Sequence, residues 1–260
     1  NREMNAVNSE YQKNLENDGW RSMQIMRGIC KLDHPENHFN IGNLETLSNV
    51  DRKVLLDFYD KYYSANQMFL AVLSNKNLDL IEDLVNKYFV QIKNHNNGTI
   101  KYPVNYLDEV DSLRLISIEP IKDIKEITLS FPTSSFQQYY KTKPGSVLGS
   151  LIGHEGKGSY LSYLKSKGYA TELYAGYYAS TRDYGSINVS ISLTPLGFNN
   201  YQEILSSFFS YVKLLNDEGY QEFIFDEAKK LAGLEEKYAD KGEGANAAVG
   251  FANNLSYYPI

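Results

Sequence analysis

The sequence predicts an α+β protein with two domains, each a mixed β-sheet with helices packed on it. Short apolar runs of strand length follow or precede amphipathic helical segments, a pattern typical of sheets covered by helices. The stretch 94–107 is polar, contains a Gly and a Pro, and has no apolar period. We therefore place the first domain at 1–93, a linker at 94–107 and the second domain at 108–260.

Helical spacing is the main signal in the first domain. A first helix is predicted at 3–18, ending at Gly19, because glycine is a favourable helix terminator. Asp51 is a favourable N-cap for a second helix. The run MFLAVLS at 68–74 is predicted to be a buried strand, and LDLIEDLVNKYF at 78–89 an amphipathic helix.

The second domain alternates strand and helix signals. The clearest strand is KEITLSFP, in which Ile127, Leu129 and Phe131 alternate with polar residues, as in a half-buried strand. The predicted strands lie at 114–120, 125–132, 172–180 and 186–194. The predicted helices lie near 145–152, 159–167, 198–217 and 221–239.

Composition excludes several classes of function. The net charge is −6 and no basic stripe is present, which argues against a nucleic-acid partner. No apolar run approaches the roughly 20 residues of a membrane span, so we expect no membrane partner. Cys30 is the only cysteine, which excludes an internal disulfide. A lone thiol favours the cytoplasm without settling the compartment.

Two carboxylates near the start form the first candidate site. Glu3 and Glu10 are seven residues apart, so in a helix they share one face. Pairs of glutamates at this spacing are common on solvated helix faces. The sequence pattern alone therefore favours a solvated face over a functional site. The alternative is a metal ligand with a supporting acid, as in zinc sites that combine histidine with one carboxylate. The sequence contains neither H-E-x-x-H nor H-x-x-E-H.

Two further stretches carry candidate chemistry. GHEGKGS at 153–159 resembles a phosphate loop, but its glycine and lysine spacing fails that motif, which favours a tight turn. The strand LYAGYYAS mixes small and aromatic residues. An exposed edge there would accept a peptide as an added strand, although an ordinary sheet strand is the more common case.

Taken in order, several stretches resemble the insulin-degrading enzyme and pitrilysin family of zinc metallopeptidases (M16), which carry the inverted motif H-x-x-E-H. The matching stretches cover nearly the whole chain. They are NREMNAVNSEYQKNLENDGWR, HPENHFNIGNLETL, YYSANQMFLAVLS, PIKDIKEITLSFP, YYKTKPGSVLGSLIGHEGKGSYLSYLKSKGYA and YYP. The resemblance implies two homologous domains, of which the first is incomplete here.

The resemblance implies a role for each glutamate. Glu10 matches the family's third zinc ligand, and Glu3 matches the acid that supports it. The family's two zinc-binding histidines and its general base match no residue of this chain and are expected upstream of Asn1. We therefore expect zinc in the complete protein, a metallo-endopeptidase acting on small peptides, and no activity from this chain alone.

The resemblance also implies an exosite that holds the N-terminus of a peptide substrate. The matching residues are Gly153, His154, Glu155, Leu173, Tyr174, Ala175 and Gly176. The sequence departs from some relatives at Ser146 and Ser150, where they have histidine, at Ala175, where they have glycine, and at Tyr11, where histidine is common. The departures at Ser146, Ser150 and Ala175 bear on the peptide preference of the exosite, whereas Tyr11 is a smaller departure next to the residue that matches the zinc ligand.

The expected partners are peptide substrates, the remaining segments of the same protein and, through an exposed sheet edge, a second copy in a homodimer. Two rival functions stay open at this point. The first is a non-catalytic peptide-binding subunit or homologue of the same family. The second is a purely structural fragment.

Overall fold

The computed structural model describes residues 2–107, 113–219 and 221–258. The predicted start of the second domain at 108–112 and Pro259 of the YYP match lie outside the described residues. The helices up to residue 89 are α1 (Arg2–Asn14), α2 (Asp18–Gly28), α3 (Leu44–Leu47), α4 (Arg52–Tyr62) and α5 (Leu78–Phe89). The later helices are α6 (Pro144–Ile152), α7 (Tyr160–Ser166), α8 (Pro195–Asn199), α9 (Tyr201–Glu218), α10 (Glu222–Tyr238) and α11 (Gly244–Tyr257).

The strands are β1 (Glu126–Ser134), β2 (Ala170–Ala179) and β3 (Tyr184–Leu193). They form one antiparallel sheet in the order β1-β3-β2. Leu129 of β1 lies opposite Val189 of β3, and Leu173 of β2 lies opposite Ile191. Strands and helices in one chain confirm the predicted α+β class.

The chain divides into two compact units. The first spans 1–12, 40–101 and 240–260, and the second spans 13–39 and 102–239. The chain leaves the first unit after Lys101, inside the stretch predicted to be a linker. Residues 240–260, assigned to the second domain from the sequence, cluster with the first unit, and 13–39 cluster with the second. The domain boundaries themselves stay a prediction.

The second unit contains one hydrophobic core. One face of the sheet packs against α7 and α9, with Leu164 and Ile204 fully buried between them. Tyr160 is also buried, and its hydroxyl donates a hydrogen bond of 2.6 Å to the carbonyl oxygen of Ile204. The alternation predicted for β1 is confirmed, because Ile127, Leu129 and Phe131 pack against this core.

Side-chain caps explain why several helices begin where they do. The carboxylate of Asp51 accepts the backbone N–H of Val54 at 2.9 Å, which confirms the predicted N-cap of α4. Asn77 caps α5 in the same way, through the N–H of Leu80 at 3.0 Å. Ser159 caps α7 by accepting the N–H of Ser162 at 3.1 Å.

The predicted first helix is wrong in its C-terminal part. The helix α1 ends at Asn14, and the Asn17 side chain caps a new helix by accepting the N–H of Trp20 at 3.1 Å. Gly19 lies in the first turn of α2 and does not terminate a helix. An asparagine that bonds locally to the backbone outweighs the continuing helical pattern at this point.

The predicted strands at 68–74 and 114–120 are also wrong, because neither joins a β-ladder within the described residues. A strand is held by hydrogen bonds to a neighbouring strand. In the first segment Phe69 and Leu70 are exposed. In the second, the carbonyl oxygen of Glu119 accepts a hydrogen bond from the Arg21 guanidinium at 3.2 Å.

The short helices α3 and α8 and the helix α11 were not predicted. The sequence of α11 mixes three asparagines and two glycines, both poor helix formers, with four alanines, so it shows no clear helical signal. Neither α3 nor α8 is long enough to show an apolar period.

Candidate functional site

The two glutamates lie on α1 in the first unit. Glu3 is in the first turn, and both Glu3 and Glu10 are exposed. The Asn8 side chain, on the same helix, accepts the backbone N–H of Leu44 at 3.1 Å and so ties α1 to α3. The structure therefore presents both carboxylates on a helix that its own Asn8 side chain ties to the start of α3.

A complete zinc site is not formed by the described residues. Nowhere in 2–107, 113–219 or 221–258 do three His, Cys, Asp or Glu side chains come together with metal-binding geometry. Zinc in proteins takes about four ligands. Glu10 fits the chemistry of one ligand, and the described part of the chain adds no others around it.

His34 is committed to a structural role in the second unit. The residue is buried, its Nδ1 accepts the N–H of Glu36 at 3.1 Å, and its Nε2 lies 3.0 Å from the carbonyl oxygen of Pro103. Because both ring nitrogens are engaged, His34 and His38 do not form a two-histidine metal site.

The segment 153–155 follows α6 directly. Gly153 is the C-cap of α6, and its N–H donates to the carbonyl oxygen of Gly149 at 2.8 Å. The next residue, His154, accepts the N–H of Gly156 at Nδ1, 2.8 Å away. The side chain of Glu155 is exposed. The turn thus presents a carboxylate at the end of a helix.

The strand part of the predicted exosite is an edge strand. Within the described residues β2 pairs with β3 on one side only. Leu173 points into the core, whereas Tyr174 is exposed on the other face. The Tyr174 ring reaches over Gly176. A hydrogen bond that the Tyr178 hydroxyl donates to Tyr174 raises the pKa of Tyr178, because it stabilises the protonated form.

Close packing of α6 on β2 brings the two exosite segments together. A methyl group added at Gly149 would lie 2.9 Å from the carbonyl oxygen of Ala175. One added at Gly153 would lie 3.4 Å from the backbone nitrogen of Ala175. Glycine at position 149 lets the helix approach the strand backbone, whereas the added methyl group at position 153 would only touch it.

A hollow of about 450 Å³ opens beside the turn, between the end of α6 and α10. We call it the α6–α10 hollow. Its lining includes His154 and Glu155, together with Glu227 of α10. The Nε2 atom of His154 lies 3.8 Å from a carboxylate oxygen of Glu227.

Sequence reasoning missed the contribution of α10. Ile224, Glu227, Ala228 and Leu231 line the hollow, although they lie about seventy residues after His154 in the chain. Their i, i+4, i+7 spacing marks one helix face, but no local signal assigns that face to this site.

The region from residue 49 to residue 232 matches a family model described as "Peptidase M16 inactive domain". The chain is 37% identical over 266 residues to the insulin-degrading enzyme of Drosophila melanogaster, covering 100% of this chain and 27% of that protein. It is 39% identical over 265 residues to the peroxisomal insulin-degrading enzyme-like 1 of Arabidopsis thaliana, covering 99% and 27%. The chain thus spans roughly a quarter of the length of these relatives.

The fold has a counterpart among solved structures. The crystal structure of pitrilysin superposes with a TM-score of 0.87 at 24% identity, over 99% of this chain and 28% of that one. In the part of the chain that the structure describes, no helix has the length and apolar character needed to cross a bilayer.

Proposed function

The chain belongs to the M16 peptidase family, as the resemblance predicted, and from this premise we propose that it forms part of a zinc metallo-endopeptidase that cleaves small peptides. In this proposal the chain has two tasks. Glu10 supplies one zinc ligand, and the β2 edge with the turn at 153–155 holds the N-terminus of the substrate.

The observation that carries the anchor is the approach of Gly153 to Ala175 at the edge strand. An extended peptide adds to such an edge through backbone hydrogen bonds. The carboxylate of Glu155 offers a charge-assisted partner for the peptide α-ammonium. Together these groups favour the end of a peptide over its middle.

A binding titration tests the anchor. We expect a peptide with a free N-terminus to bind more tightly than its Nα-acetylated form, and Glu155→Gln to remove most of the difference. Tyr174→Pro should weaken both peptides, because proline cannot donate to an added strand. Glu235→Gln, an exposed carboxylate near the end of α10, is the matched control. Equal binding of free and acetylated peptides would overturn the anchor.

For the metal, we propose that Glu10 completes a zinc site whose other ligands lie on further segments of the whole protein. Zinc there would act as a Lewis acid on water and the scissile carbonyl. Glu3, on the same helix face, would orient the ligand or tune its charge. The chain alone, which lacks H-x-x-E-H, is expected to be inactive.

Zinc content of the longer protein tests this assignment. Glu10→Gln should release zinc and abolish peptidase activity, whereas Glu3→Gln should weaken zinc binding less. Glu16→Gln, just beyond the end of α1, is the control and should change neither. Full zinc occupancy with Glu10→Gln would remove Glu10 from the site.

A non-catalytic peptide-binding homologue is the second candidate, favoured by the description of the matched family model as an inactive domain. Such a homologue would bind the peptide N-terminus at the same anchor but would hold no catalytic zinc. Absence of zinc from the longer protein, with peptide binding intact, would select it.

The remaining segments of the same protein are the partners that we propose for the first unit. Its helix α4 exposes Leu55 and Phe58, which such segments would cover. Without them, we expect this chain to self-associate, which sedimentation velocity over a range of concentrations would detect. A monomer at all concentrations would contradict that expectation.

A further inference from the structure

The α6–α10 hollow combines an apolar floor with an acidic rim. Ile224 is almost fully buried beneath it, and Ala228 and Leu231 continue the same face of α10. Glu155 and Glu227 stand on the rim, one on the turn after α6 and one on α10. Among the described residues that line the hollow there is no lysine or arginine to neutralise them.

The hydrogen bonding of His154 leaves Glu227 available to a ligand. Because Nδ1 accepts the N–H of Gly156, the proton of a neutral ring lies on Nε2, which faces Glu227. The separation of 3.8 Å is longer than a hydrogen bond, and the Glu227 side chain is 57% exposed. The carboxylate is therefore oriented beside the hollow without being consumed by a close partner.

Such a lining suits one chemical group in particular. Lysine and arginine have an aliphatic stem that packs on apolar surface and a cationic head that seeks an acid. Ile224, Ala228 and Leu231 would take the stem, and Glu227 the head. A purely apolar side chain would leave Glu227 unused, and an acidic one would be repelled by both rim carboxylates.

We propose that the α6–α10 hollow is a specificity pocket for a basic first residue of a bound peptide. Glu155 holds the α-ammonium of that residue and Glu227 holds its side-chain cation. This inference rests on the proposed anchoring of the peptide N-terminus at Glu155. It adds a substrate class, namely peptides that begin with lysine or arginine.

The test uses peptides identical except at the first residue, which is lysine, arginine, norleucine or glutamate. Norleucine keeps the aliphatic stem of lysine and lacks its charge. We expect lysine and arginine to bind about 3- to 5-fold more tightly than norleucine, the scale of a partly exposed ion pair, and glutamate to bind most weakly. Glu227→Gln should make lysine and norleucine equal, and Glu227→Lys should reverse the order of lysine and glutamate.

The control is Glu236→Gln, an exposed carboxylate nine residues further along α10, which should leave the preference unchanged. Equal binding of lysine and norleucine peptides to the unaltered protein would overturn the inference, as would a preference that survives Glu227→Gln. In either case a loss of binding on Nα-acetylation would still support the anchor itself. If acetylation has no effect, the proposed anchor fails and the inference fails with it.

Discussion

The two compact units contain amphipathic helices of the same kind, and they differ in what those helices bury. Among the described residues, every apolar side chain that is fully buried lies in the second unit. In the first unit α4 and α5 keep their apolar faces exposed, with Leu55 at 61% and Leu78 at 81%. A helical period in the sequence therefore creates an apolar helix face, but it does not supply the surface on which that face packs.

The sheet makes the difference. In the second unit three paired strands offer an apolar face, and α7 and α9 pack on it. In the first unit the apolar segment 68–74 forms no ladder within the described residues, so α4 and α5 meet no equivalent surface. Burying a leucine side chain stabilises a fold by about 2 kcal/mol. The second unit gains this free energy at several positions, and the first unit does not.

The largest expected effect compares one helical leucine in each unit. Leu164→Ala on α7 should destabilise the second unit by about 2–5 kcal/mol, because it empties a fully buried site. Leu55→Ala on α4 should change stability by less than about 0.5 kcal/mol. Urea unfolding measures both changes. The effect of Leu164→Ala is followed by the fluorescence of Trp20, the only tryptophan, which lies in the second unit. The effect of Leu55→Ala is followed by circular dichroism. Equal losses would show that the first unit has a core of its own.

A glycine pair sharpens the comparison within the second unit. Gly149→Ala should cost about 1–3 kcal/mol, because its methyl group would meet the Ala175 carbonyl oxygen at 2.9 Å and backbone cannot easily yield. It should also weaken peptide binding at β2. Gly233→Ala, with open space around it in α10, should instead stabilise by about 0.5–1 kcal/mol. Thermal unfolding measures the stability of both variants, and a peptide titration measures their binding. An increase in stability with Gly149→Ala would refute the close packing of α6 on β2.

Alkaline pH should act on the second unit through its buried tyrosines. Burial raises the pKa of Tyr106 and of Tyr160 to about 12. The unfolded chain loses these protons near pH 10, so the stability they contribute is complete below that pH and is lost as the pH rises toward 12.

Unfolding followed by Trp20 fluorescence at increasing pH measures this loss. Tyr160→Phe, which keeps the ring and removes the titrating group, should flatten the pH dependence. Tyrosinate absorbance that rises in a single step near pH 10, with the second unit still folded, would contradict the expectation.

The smallest expected effect concerns Asp18 at acid pH. The backbone N–H groups of Ile121 and Lys122 donate to its carboxylate at 2.8 and 3.1 Å and hold its pKa below the ordinary value. The contribution of Asp18 is therefore present above pH 4 and is lost as the pH falls through the lowered pKa. Asp18→Asn should be less stable than the unaltered chain at neutral pH, and the gap should close in acid. Asp57→Asn on α4 is the control, and a gap independent of pH would refute the charge-based explanation.

The sequence by itself determined the features that depend on near neighbours. Asp51 begins α4 because a carboxylate three residues before an N–H caps a helix in any context. The alternation in β1 and the helical periods of α5, α9 and α10 likewise predicted their elements. The ordered series of motifs was specific enough to identify the family.

The tertiary structure decided what depends on partners distant in the chain. Whether 68–74 and 114–120 become strands depends on a neighbouring strand, which no local pattern encodes. The same holds for the candidate site, where Gly153 and Ala175 were expected and Glu227 was not. The sequence pattern of a helix face is the same whether that face contacts solvent, a sheet or a ligand. Only the packing of α10 against α6 places Glu227 beside His154.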